Sequence, residues 1–183
     1  MRHRLWIALT ALALMGCQTG GTPTPTMTAP PATASPTPTP SPSPTVEFTG
    51  DRLAAYQHVR ASLDALDTWM QDPKDDINGV IHYLADEAQI MTVEILYRIL
   101  DDKKHLRGIP AYRAWKVSDV TEAADGTQQT VVSFCMDMTG VTLIYADGTE
   151  KNLHGTSREN YSLRKTKTGR WKVFELANEV TSC

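Results

Sequence analysis

One aspartate, two tyrosines and three cysteines carry most of the reactive chemistry that the 183 residues offer. Asp137 sits near the end of the run QQTVVSFCMDM (128–138), where Val132, Phe134, Met136 and Met138 alternate with Val131, Ser133, Cys135 and Asp137. The first set makes one face wholly apolar and leaves the other mixed, the period-two signature of a half-buried strand. A carboxylate desolvated on such a strand has its pKa raised toward that of a general base, which makes Asp137 the candidate catalytic residue. The plainer alternative is an aspartate that bonds a turn or meets Arg or Lys across the sheet. Tyr145 and Tyr161 fall in other strand-like runs and, with Trp69 and Trp115, are candidates to line a pocket or to fill it.

Other chemistries find no support. His58, His82, His105 and His154 are scattered, with no pair at helical metal-ligand spacing and no HExxH, so no metal is expected. There is no G-x-S-x-G, no phosphate-cradling loop and no dinucleotide glycine pattern, so no cofactor is expected. Asp72, Asp75 and Asp76 lack the spacing and glycine of an EF-hand and fit helix capping around Pro73. Arg158, Arg164, Lys165, Lys167, Arg170 and Lys172 bracket the last hairpin, where they either protect a solvated edge or face anionic wall polymer or lipid headgroups. With 18 Lys+Arg against 21 Asp+Glu the chain lacks the concentrated basic footprint of a nucleic-acid binder.

The N-terminal region bears on location. Arg2, His3 and Arg4 precede an apolar run from Leu5 to Met15, which is the length of a signal-peptide core and short of the about 20 residues that span a bilayer. Leu14-Met15-Gly16-Cys17 then resembles the lipobox of bacterial lipoproteins, with a leucine three residues before the cysteine and a small residue just before it. The resemblance implies that residues 1–16 are a signal peptide and that Cys17 is lipidated. The protein would then be an exported lipoprotein, its palmitate-type acyl chains holding it to the outer face of the cell membrane. Two or more such chains anchor stably where one does so only marginally. The alternative is an ordinary secretory signal with a cysteine nearby. Residues 17–48 hold nine of the 11 prolines among Thr, Ser and Ala, a composition with almost nothing to bury, and are expected to be a disordered linker. In an exported protein the two remaining cysteines, Cys135 and Cys183, are expected to form a disulfide, with a metal pair or a reactive thiol as the alternatives.

The elements that must position these residues follow from periodicity. Leu53, Tyr56, Val59, Leu63, Leu66 and Met70 trace one stripe of a helix over 51–72, with Thr49 as N-cap and Pro73 as stop. A second stripe, including Ile77, Val80, Leu84, Ala88, Met91, Ile95 and Ile99, runs over 77–106. Asp76 caps it, Gly108 and Pro110 end it, and the polar 85–87 patch divides it into a short and a longer helix. From Ile109 onward β-formers dominate, punctuated by Asp125-Gly126, Asp147-Gly148 and Thr168-Gly169. Helices followed by a meander of about four or five strands define an α+β fold, N-terminal helices packed on an antiparallel sheet.

Cys135-Met136-Asp137, Asp147-Gly148, Arg170-Trp171-Lys172-Val173 and Cys183, in that order behind N-terminal helices, resemble the NTF2-like (SnoaL-like) domains of actinobacterial secreted proteins and lipoproteins. The resemblance implies a domain over 49–183 in which a curved sheet wraps a long helix into a half-open cone with a pocket at its wide end. Some members isomerise, dehydrate or cyclise substrates with an internal Asp, His or Tyr. Others bind a ligand or partner, and many dimerise through the outer sheet face, which makes a homodimer one expectation. The favoured expectation is a membrane-anchored envelope lipoprotein whose tethered domain binds a small ligand, a wall component or an envelope protein without catalysis. The alternatives are a cone-pocket enzyme with Asp137 as base, or a phage or prophage surface lipoprotein that excludes superinfection.

Overall fold

A computed structural model describes residues 47–180 and Cys183. The signal-peptide, Cys17 and linker expectations over 1–46 lie outside the described residues. The element order is α1 (Gly50–Gln71), α2 (Asn78–Ile81), α3 (Asp86–Asp101), β1 (His105–Arg107), β2 (Ala111–Val117), β3 (Thr121–Glu122), β4 (Gln128–Asp137), β5 (Thr142–Ile144), β6 (Glu150–Asn152), β7 (Thr156–Lys165) and β8 (Trp171–Val180). Helices come first and antiparallel strands after, so the fold is α+β.

Thr49 stands at the N-cap of α1 with extended backbone, although its side chain makes no capping bond, and the helix stops just ahead of Pro73. Its buried face runs through Ala55, Val59, Ser62, Leu63 and Asp67, rotated away from Leu53, which is 36% exposed. Phe48, placed on the linker side by composition, is buried against Tyr56 and belongs to the core. The N-cap position of α2 is Ile77 rather than Asp76, which stands one residue earlier, its Oδ1 accepting the Asn78 backbone N–H at 3.0 Å.

α3 ends at Asp101, earlier than its apolar spacing suggested. Lys103 adopts φ +49°, and the Lys103 and Lys104 N–H groups donate to the carbonyls of Leu100 and Ile99. Those paired bonds are a Schellman stop, here with lysine in the left-handed position that glycine usually takes. The chain then turns into β1, so Leu106 is a strand residue. Met91 and Ile95, expected in the core, are 41% and 50% exposed, because α3 packs through Ala88, Thr92 and Leu96 and leaves its other side uncovered.

The main sheet has the order β2-β4-β7-β8, with β3 also paired to β4, and β1-β5-β6 form a separate small sheet. All strand pairs are antiparallel, and tight turns fall at the three X-Gly positions read from sequence. Two bulges shape the main sheet. In β2 the register slips between Arg113 and Lys116, with Ala114 at φ +54°. The extra residue keeps Tyr112, Trp115 and Val117 packed on the same core, where strict alternation would put Tyr112 opposite the other two. In β8 a slip at Phe174 does the same for Val173 and Leu176. The core lies between α1 and the face of β4 that carries Val132 and Phe134, both 0% exposed. A second cluster, Trp69, Ile77, Val80 and Leu96, fills the angle between the three helices.

Candidate functional site

β4 puts Phe134 at the centre of a set of rings. Trp115 stacks on it at 4.6 Å between centroids, while Tyr112 and Tyr161 meet it edge-on at 5.7 and 5.2 Å. Tyr56 closes the set against Trp115 at 5.0 Å, and the Arg60 guanidinium lies 5.5 Å from the Trp115 centroid. α1 delivers one carboxylate into this apolar surround. Asp67 follows Val59 and Leu63 at four-residue steps and is 8% exposed. The Tyr112 hydroxyl donates to it, at 2.8 Å from Oδ1 and 3.0 Å from Oδ2.

Burial is the main force on Asp67. It raises the pKa to about 6, helped by Asp64 and opposed by the Tyr112 hydroxyl and by Arg60. The Tyr112 phenol is raised by burial and by the carboxylate beside it, and Tyr161 by burial, Glu159 and Asp67. Glu159 is a second inward carboxylate, opposite Phe134 in the ladder; burial raises it while Ser157 Oγ donates to it at 2.5 Å. The arrangement therefore contains an acid able to exchange a proton near neutral pH, enclosed by rings and hydrogen-bonded to one of them.

Asp137, the sequence candidate, has a different environment. The mixed face of β4 is the outer one. There Asp137 Oδ1 accepts the Thr139 backbone N–H at 2.9 Å, and Arg113 stands 3.3 Å away across the β2 ladder. Thr139 and Arg113 hold its carboxyl below the usual aspartate value, opposite in direction to what a general base requires. The turn-bonding alternative describes it. On the same outer face the Ser133 hydroxyl donates to Asn160 Oδ1, and Cys135 and Cys183 form a disulfide with Cα atoms 5.9 Å apart.

The four aromatic candidates separate. Trp115 and Tyr161 pack in the ring cluster. Trp69 belongs to the helical core, donates Nε1–H to the Lys74 carbonyl at 3.0 Å, and forms part of an open groove of about 610 Å³ between α1 and α2. Tyr145 lies just past β5, at the turn of the small sheet, with Lys104 5.5 Å from its ring. Sequence reasoning missed Asp67 and Tyr112. The signal for Asp67 was an acid at the position the apolar stripe of α1 reserves for the core; Tyr112 was hidden by the bulge. Among the described residues no three His, Cys, Asp or Glu side chains are grouped to hold a metal ion.

No family model matches the chain, and no curated protein matches it by sequence. Solved structures do match. The intermembrane-space region of the chloroplast protein ARC6 aligns with a TM-score of 0.55 at 16% identity, over 73% of this chain and 100% of that one. A ketosteroid isomerase-like protein from Erwinia carotovora atroseptica aligns with a TM-score of 0.50 at 17% identity, over 74% of this chain and 100% of that one. At such identities the likeness is one of architecture, and it defines the fold as ketosteroid isomerase-like, that is, NTF2-like.

Proposed function

We propose that this is a cell-envelope lipoprotein, anchored through Cys17, whose NTF2-like domain binds a ligand or an envelope partner on its surface and does no chemistry in its interior. The observation that carries this reading is the filling of the space between α1 and the sheet: Trp115, Phe134, Tyr112 and Tyr161 occupy it, and the Tyr112 hydroxyl points at Asp67. The test is uptake of a small ring. Indole should not bind the wild-type chain and should bind Trp115→Ala, which opens a void of matching shape. Saturable indole binding by the wild type would sink the closed-interior reading. Intact mass of the membrane-recovered chain, beside Cys17→Ala, tests the anchor: added acyl mass on Cys17 supports it and an unmodified cysteine removes it.

The raised pKa of Asp67 favours one second reading, a cone-pocket enzyme of the isomerase or dehydratase type. Its base would be Asp67 and its hydrogen-bond donor Tyr112. Loss of turnover in Asp67→Asn, with the fold intact, would be its signature.

A further inference from the structure

Where α1, the turn after α2 and the start of β8 meet, a cleft of about 220 Å³ has His58, His82, Arg170, Trp171 and Lys172 as its polar lining, with Tyr83 between it and the α1–α2 groove. No carboxylate among the described residues lines it. Among the described residues Arg170 makes no ion pair, and the Lys172 ammonium rests on the His82 carbonyl, a neutral acceptor. Two cations and two imidazoles thus line one cleft with no counter-ion among the described residues. The crowding is felt: burial and Arg170 lower Lys172, and burial, Lys172 and His82 lower His58 against the pull of the Tyr83 carbonyl. Lys165, 5.7 Å from the Trp171 centroid, differs in having its own partner, Asp51 at 2.8 Å.

A second observation stands apart from charge. Trp171 is 4% exposed, and its Nε1–H is buried with no acceptor among the described residues. A buried donor left unmet is costly, so its persistence in a residue that lines a cationic cleft calls for an acceptor.

We propose that this cleft is a binding site for a phosphate-type oxyanion, either free phosphate or the phosphoester of a headgroup. The charged and imidazole side chains of the lining are donors, or become donors on protonation, and a guanidinium fork with an ammonium in one cleft matches a tetrahedral anion with several oxygens better than a planar carboxylate with two; Trp171, whose indole N–H lacks an acceptor among the described residues, lines the same cleft. The inference rests on reading the domain as a binding module and names the chemistry of one of its surfaces.

The test is titration of the exported full chain carrying Cys17→Ala, at constant ionic strength, with inorganic phosphate and separately with glycerol 3-phosphate. Calorimetry measures affinity and the Trp171 indole N–H resonance reports the site. A saturable shift of that resonance is expected, with affinity lost by about tenfold in Arg170→Gln or Lys172→Gln, as for removal of one charge-assisted bond. Trp171→Phe, which keeps the buried ring, should weaken binding by calorimetry. Tighter binding of phosphate assigns a free anion, and tighter binding of glycerol 3-phosphate assigns a headgroup. Absence of binding by both overturns the proposal, as does an equal loss in Arg158→Gln, a cation of the outer sheet face. Indole binding by the wild type would defeat the closed-interior reading and leave this result standing, so the two failures are distinguishable.

Discussion

The two faces of β4 carry the same kinds of residues under opposite rules. On the inner side, Val132 and Phe134 meet rings and α1, and the carboxylate that belongs there, Asp67, is nearly dry and raised to about 6. On the outer side Asp137 has a backbone donor and an arginine, and its carboxyl is lowered. A carboxylate's chemistry follows from what surrounds it, and a strand one residue thick can separate the two extremes. The side that can exchange a proton near neutrality is reached from the helix, while the side that alternates with polar residues holds structure.

This contrast can be broken from either side. Phe134→Ala should cost the most, about 3–5 kcal/mol in a urea or guanidinium titration, since it empties the centre of the ring cluster; a value near 1 would mean that the inner side is loosely packed. Breaking the Cys135–Cys183 bond with paired serines should cost about 2–4 kcal/mol, because the cross-link joins positions 48 residues apart. Tyr112→Phe removes the donor from Asp67 and should cost about 1–3 kcal/mol at neutral pH, less in acid, where the carboxyl is protonated. Asp67 itself gives a pH signature. Its folded pKa lies above the unfolded one, so protonation favours the folded state, and the stability this group lends falls as pH rises from about 4 through about 6. Asp67→Asn should flatten the wild-type profile in that window relative to Asp137→Asn, and parallel profiles would contradict the raised pKa. Asp137→Asn should be the mildest change, the smallest shift of the denaturation midpoint in this series, since its partners are solvated.

The order of elements was legible because helix periodicity, β-former runs and X-Gly turns are local signals. The details that form the inner site were not. Asp67 sits on the apolar stripe of α1, and a stripe read only through its hydrophobic members passes over the one acid it contains. Tyr112 and Trp115 share a face only because Ala114 takes a left-handed conformation, which no period-two pattern foretells. Asp137 drew notice because it was polar on a central strand, yet which face turns to the helices is decided by the apolar set, and that set excluded it. The end of α3 was missed for a similar reason, since lysine at the left-handed stop carries no glycine flag. The Cys135–Cys183 pairing was the long-range feature that cysteine count, taken with the expectation of export, did anticipate.

The bond between the central strand and the last residue also changes how the domain would meet a protease. Residues 136–182 form a covalently closed loop, and the Tyr145–Thr149 turn projects from it with Ala146 and Asp147 exposed. A single cut there releases no fragment: the nicked chain keeps its length on a non-reducing gel and separates into two pieces only after the sulfurs are reduced. Loss of a peptide bond at this surface and separation of the two pieces are therefore distinct events, and the second waits on a change of redox conditions.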